Sequence, residues 1–272
     1  APAEPGQEMM AADLTDREAT LKAVKGSEVV YLTAGLPYSS SVWREAWPRI
    51  MQNVIEACTA TGAKLVFFDN VYMYGRVEGW MTEETPHRPV SKKGEVRAQI
   101  AQMLLDAIAV GKIRALIARS ADFYGPGAEN TAVHPMVFKN LKAGKKALWL
   151  ADAGKRHSFT YTPDAGRAVA LLGNSDDAFG EVWHLPTDMN PLTGREFIEA
   201  AAAVYRTEPR FSVLSPGMIR LAGLFNPLAR ESFEMLYQQK HDYLFDSSKF
   251  SKRFSAATLY AEGIRTTAQA LT

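Results

Sequence analysis

Lys93 and Arg97, in the run Lys93-Gly94-Glu95-Val96-Arg97, carry the most suggestive chemical spacing in the chain. On a helix, residues i and i+4 share a face, so both cations point to one cleft. Arg97 can hold a ribose or a phosphate. Lys93 can exchange a proton near neutral pH only if its pKa is lowered, which the nearby Arg97 and partial burial would do; otherwise it is a solvated or anion-binding cation. A second group, Asn70, Tyr72 and Tyr74, follows an apolar run. The Asn70 amide both donates and accepts, so it can orient a substrate oxygen. Tyr72 either reaches a substrate with its hydroxyl or packs at a sheet edge with that hydroxyl wetted. The five histidines, at 87, 134, 157, 184 and 241, lack metal-ligand spacing, and Cys58 is the sole cysteine. No metal centre and no disulfide framework are expected.

These residues need elements to position them. Val29-Val30-Tyr31-Leu32 has a buried-strand pattern, preceded by Asp16 as a helix cap and a helix over Arg17–Val24. Ile50, Val54, Ile55 and Cys58 fall on one helical face, ended by Thr61-Gly62, and a strand follows over 65–68. Another helix carries Val96, Ile100, Met103, Leu104, Ala107 and Ile108, and Gly111 stops it before a strand over 113–117. Alternating strand and helix implies an α/β fold, a doubly wound parallel sheet covered on both faces. Ligands in such sheets sit at the strands' carboxyl ends, which marks the loops 33–41, 69–75 and 120–127. Beyond Gly127 the pattern loosens, with one strand over 182–185 and a helix over 193–205. The stretch 209–246 reads as a small helical subdomain, and a helix over 256–271 closes the chain. Residues 1–155, with 160–186 returning, are expected to form the first domain, 187–250 a smaller substrate domain and 251–272 a terminal helix.

The chain has 272 residues, 47% hydrophobic and 22% charged, with 31 Lys+Arg against 30 Asp+Glu. A net charge of +1 supplies no global field for nucleic acid or anionic lipid, and the sequence shows no local basic patch. No apolar run approaches the ~20 residues of a membrane span. The first residues lack a signal peptide's basic and apolar regions. A soluble cytoplasmic protein is therefore expected, acting on a small molecule, with no nucleic-acid or membrane partner.

Three ordered stretches, Tyr74-Gly75, Arg119-Ser-Ala-Asp-Phe-Tyr-Gly-Pro-Gly127 and Phe159-Thr-Tyr-Thr-Pro-Asp164-Ala-Gly-Arg-Ala168, together resemble the extended short-chain dehydrogenase/reductases, the NAD-dependent epimerase/dehydratase family. Asp13-Leu-Thr-Asp16, residues 29–35, Asp246-Ser-Ser-Lys249 and Glu262-Gly-Ile-Arg265 also read like its pieces, so the resemblance covers essentially the whole chain. It implies a Rossmann-like fold with a smaller C-terminal substrate domain and an NAD or NADP cofactor. The cofactor would meet Asp13 and Leu14 at its adenine edge, Thr33, Ala34 and Gly35 at a strand end, and Ser120 and Asp122 near the nicotinamide. Asn130, His134, Arg156 and His157 would face substrate. Family members often pair through two long helices, here 47–59 and 91–110, so a homodimer is possible.

The departures from that pattern are specific. The family's Gly-x-x-Gly-x-x-Gly turn, whose amides hold a pyrophosphate, occurs nowhere in this sequence. Set against the family's usual beginning, roughly 40 residues, about one βαβ unit, are expected to lie ahead of this sequence. Their first strand lies centrally in the family's sheet, so unpaired backbone is expected on both sides of a gap, and a longer protein or another segment is expected to fill it. Asn70 stands at the Ser/Thr position that orients substrate, and Lys93 and Arg97 replace the Tyr and Lys that manage the proton and the ribose. Trp47 replaces a helix Asn, and His157 an Arg that grips a nucleotide-sugar diphosphate, a grip Arg156 can take over. Two functions remain open: oxidation, reduction or epimerisation at a sugar or other carbinol carbon, with Lys93 or Tyr72 as acid/base, or binding without catalysis.

Overall fold

The computed structural model describes residues 6–271. Its elements follow in chain order. Helix α1 (Arg17–Val24) starts where Asp16 accepts from the Ala19 amide at 2.7 Å. Strand β1 (Val29–Leu32), helix α2 (Ser40–Thr61), strand β2 (Lys64–Asp69) and strand β3 (Trp80–Met81) lead to helix α3 (Lys92–Ala109), capped by Ser91. Next come β4 (Ala115–Arg119), β5 (Asp122–Tyr124), α4 (Lys139–Lys142), β6 (Ala147–Leu150), β7 (Phe159–Tyr161), α5 (Thr162–Gly173) and β8 (Val182–His184). Helix α6 (Gly194–Tyr205) begins with a Thr193/Glu196 capping box. The remainder is β9 (Phe211–Leu214), α7 (Pro216–Ala222), α8 (Pro227–Ser232), α9 (Tyr237–Lys240), β10 (Leu244–Phe245), α10 (Ser248–Arg253) and α11 (Tyr260–Ala270).

Two expected boundaries shift. The strand expected over 113–117 runs over Ala115–Arg119, because Gly111 (φ 68°) turns the chain and the next residues carry it to the sheet, where Ala115 pairs with Leu65. The last helix starts at Tyr260 and not at 256. The Thr258 amide donates to Asp164 at 2.6 Å, and Leu259 is extended (ψ 148°), so the chain is pinned straight until that point.

The main sheet is parallel, in the order β1-β2-β4-β8. Its strands bond in unbroken succession. This corrects the expectation of a central gap: among the described residues the four strands are mutual neighbours, and the sheet's edges are β1 and β8. Alternation along β2 sends Leu65 and Phe67 to one face and Val66 and Phe68 to the other. The first pair packs against Trp47, Ile50 and Val54 of α2 and Ile100 and Leu104 of α3. Val66, with Leu116 and Ala118, meets Ala165, Ala168 and Leu172 of α5. Both faces are buried, as the apolar strand runs require.

A separate core joins Tyr124, Phe138, Trp149 and Phe159 to Phe197, Tyr260 and Ile264. Strand β6 pairs in parallel with β9, Ala147 opposite Phe211. Much of the segment between Tyr124 and Tyr161 belongs with the later core, because its aromatic side chains and strand β6 find their partners there. No helix among the described residues is long and apolar enough to cross a membrane.

Candidate functional site

The carboxyl ends of β2 and β4 meet the start of α3. Asp69 closes β2, fully buried, and accepts from Arg97 Nε at 2.7 Å and from Arg97 Nη2, with Arg119 Nε 3.7 Å from its other oxygen. The Arg97 guanidinium lies 4.6 Å over the Trp47 ring and 5.1 Å over Phe67. Trp47 thus stacks on the cation that Asp69 neutralises. Asn70 follows, its Oδ1 accepting from the Tyr72 amide at 3.1 Å, and the Ser120 amide donates to the Asp69 carbonyl at 3.0 Å. The turn over Tyr72–Tyr74 ends at Gly75, φ 69°, where a Cβ would stand 2.0 Å from the Arg88 carbonyl oxygen. Only glycine fits there.

Lys93 is fully buried. Its ammonium donates to the Glu231 carbonyl at 3.0 Å, Glu231 Oε2 at 2.5 Å and Glu234 Oε1 at 2.9 Å, so all three protons are committed. The two glutamates also serve helix starts: Glu231 accepts from the Ser40 amide at 2.9 Å, and Glu234 from the Lys92 amide at 2.8 Å. Burial pushes the Glu231 carboxyl up, but Lys93 and Ser40 outweigh it and hold it below the usual value. The solvated or anion-binding Lys93 of the sequence reading is corrected here, because α8 and the turn after it supply two carboxylates. The Lys93 ammonium also lies 4.5 Å over the Tyr38 ring.

Four phenols, Tyr38, Tyr72, Tyr237 and Tyr243, share this end of the sheet with Asp122. Burial pushes every one of these hydroxyls up, and the Asp122 charge adds to it. They are proton donors at ordinary pH. Tyr72 stacks on Trp43 (ring centres 6.3 Å apart) and faces Tyr38, and the Tyr237 hydroxyl is buried without a partner. His157 Nε2 donates to Asp122 Oδ2 at 2.9 Å, and its ring is held between Tyr243 and Phe159. The Ser120 hydroxyl and both ring nitrogens of His134 are likewise buried without partners.

The structure brings Asn70, Tyr72, Lys93, Arg97, Ser120, Asp122 and His157 to this region. Others stand apart. Asp13 sits on an exposed turn, accepting from the Thr15 amide and hydroxyl at 2.8 Å. Leu14 packs on the α2 side of the core, its carbonyl accepting from Asn53 at 2.9 Å. Thr33, Ala34 and Gly35 form the open strand end after β1, and Asn130 is exposed. Arg156 pairs with Asp242 at 3.1 Å on the surface, so it is not turned toward the cleft as a substitute for the replaced arginine.

Sequence reasoning missed the glutamates, which are 138 and 141 residues from Lys93 and carry no local signal. It also missed the wiring beneath the strand ends. Arg119 donates to Tyr74 at 2.7 Å and contacts His87 at 2.9 Å, Tyr74 donates to His184 Nε2 at 2.8 Å, and His184 Nδ1 donates to the Asp246 carbonyl at 2.7 Å. Burial pushes the His184 imidazole down to about 3, so it is neutral and can accept from Tyr74. Among the described residues no group of His, Cys, Asp and Glu is arranged to hold a metal.

Comparison with known proteins places this geometry. The model of the NAD dependent epimerase/dehydratase family matches residues 1–185. A 3beta-hydroxysteroid-dehydrogenase/decarboxylase from Arabidopsis thaliana is 27% identical over 214 residues, 70% of this chain, and the chain spans about a third (36%) of that relative's length. Similar solved structures include dTDP-glucose 4,6-dehydratase from Streptomyces venezuelae with NAD bound (TM-score 0.77, 18% identity, 95% of this chain and 77% of that one). UDP-glucose 4-epimerase from Thermus thermophilus, also with NAD, has TM-score 0.75 at 20% identity, covering 95% of this chain and 83% of that one. With the family model matching more than half of its length and the doubly wound sheet in place, the chain belongs to the NAD-dependent epimerase/dehydratase family.

Proposed function

We propose that the chain carries out nicotinamide-dependent oxidation or reduction at a carbinol or carbonyl carbon of a small molecule, with NAD or NADP as cofactor. One observation carries this reading. In a member of this family, the Ser120 hydroxyl just past β4 is buried with no protein group to satisfy it, and Asn70 and Tyr72 follow β2 while Asp122 opens β5. That orphaned donor fits the nicotinamide half of the cofactor, while Thr33, Ala34 and Gly35 at the open end of β1 would meet another part of the nucleotide and Asp13 with Leu14 its adenine edge. When bound, a nicotinamide supplies a hydride acceptor or donor. The chain's own part is to orient and to move a proton. Asn70 holds the substrate oxygen, and Tyr72, kept protonated by burial, donates to it. Lys93 and Arg97 act as positioning residues through Glu231, Glu234 and Asp69.

Calorimetric titration with NAD and NADP, followed by hydride transfer between each nucleotide and small alcohols and ketones, tests this. Micromolar binding and turnover that falls about 10²-fold or more in both Asn70→Ala and Tyr72→Phe are expected. Failure of both nucleotides to bind overturns it. The commitment of every Lys93 proton favours a second reading, a binding protein without catalysis, and nucleotide binding with no turnover selects it. A homodimer through α2 and α3 would meet across polar outward faces such as Arg44, Gln52, Glu95 and Gln102, and a monomer mass by light scattering removes it. A cytoplasmic setting accords with the single buried thiol, Cys58.

A further inference from the structure

We propose that the recess beside the Asp122–His157 pair takes an uncharged, largely apolar alcohol, whose hydroxyl is read by that pair. This rests on the oxidoreductase reading above and names its substrate class. The recess is open to solvent on one side, and its walls include Val133, Met136, Leu148, Trp149 and Phe159. Its polar groups are Asp122, His157 and Gln239, and none of the described residues lining it is Lys or Arg. Apolar walls with a few fixed polar groups select apolar ligands carrying one matched polar atom.

The charge pattern gives the same answer. His157 spends its Nε2 proton on Asp122 Oδ2, which leaves the remaining lone pairs of the carboxylate as acceptors. A fixed carboxylate acceptor suits a hydroxyl donor. A nucleoside diphosphate would have to be desolvated opposite the Asp122 charge with no cation to meet it. Arg156 does not change this, since it is paired with Asp242 at the surface. The pair is also preorganised. Tyr243 and Phe159 hold the His157 ring from either side at 4.4 and 4.5 Å, and Gly194 of α6 lies so close to Trp149 that a Cβ there would fall 2.3 Å from the indole.

Calorimetry on the full chain without nucleotide tests the assignment, using menthol, its methyl ether and UDP as probes. Menthol is expected to bind at least about tenfold tighter than the ether, since only menthol can donate to the pair, and UDP is expected to give no heat at the same concentrations. Asp122→Ala should erase the difference between menthol and ether while leaving ether binding in place. UDP binding tighter than menthol, equal binding of menthol and ether, or no binding of either overturns the assignment. With no nucleotide present the readout is independent of turnover, so failed hydride transfer would refute the proposed function and leave this result standing.

Discussion

Lys93 gives the sharpest test of the site's construction. Replacing it with Met keeps most of the stem's volume and removes the ammonium, leaving Glu231 and Glu234, which are only 19% and 22% exposed, without their cation. Breaking a buried ion pair from one side costs about 3–5 kcal/mol. Here the carboxylates keep some water and each retains a helix-start amide, so about 2–4 kcal/mol is expected. Urea unfolding should show a lower midpoint at unchanged slope. The triple variant K93M/E231Q/E234Q removes the stranded charges and should recover more than half of the loss. Acid dependence adds a signed check. The Glu231 carboxyl is held low in the folded protein, so its contribution is present above the unfolded value of about 4.3 and is lost as pH falls through the folded one; K93M should flatten that fall. A single variant within 1 kcal/mol of wild type, or a triple variant no better than the single, would refute the reasoning.

Three further outcomes follow from the same geometry. Gly75→Ala forces φ 69° on a residue with a Cβ and drives that atom to within 2.0 Å of the Arg88 carbonyl oxygen; a loss of about 2 kcal/mol or more is expected in thermal unfolding, with reduced turnover because Tyr72 sits on that turn and Asn70 just before it. His184, depressed to about 3, makes the folded state take up its proton later than the unfolded chain; stability should therefore be complete above about pH 6.5 and fall as pH drops toward 3, at up to ~1.4 kcal/mol per pH unit, with His87 and His134 adding in the same sense and His184→Gln reducing the slope. Trp47→Ala should cost about 3–5 kcal/mol by core truncation, and Arg97→Lys, which loses the planar stack and the forked contact to Asp69, should cost less but lower turnover, read as kcat against KM.

Much of the architecture was legible in the residues. The strands at Val29–Leu32 and Lys64–Asp69 and the helices over Arg17–Val24 and Lys92–Ala109 announce themselves by periodicity and caps, because those signals are local: a strand's alternation or a helical stripe is written in consecutive residues. The ordered motifs around Tyr74, Arg119 and Phe159 identified the family for the same reason. Which core would claim Tyr124, Trp149 and Phe159 was not legible, because that choice is made by partners as distant as Phe197 and Tyr260.

By itself the sequence determined the order of elements, the family, and which residue types stand at the strand ends. Tertiary structure alone decided what those residues do: Lys93 was a cation awaiting a partner until α8 brought Glu231 and Glu234 to it, Arg97 was free until Asp69 closed on it, and Asp122 and His157 became one unit across 35 residues. The physical reason is that a charged side chain's chemistry is set by what lies within a few ångströms once water is excluded, and those neighbours come from segments with no relation along the chain.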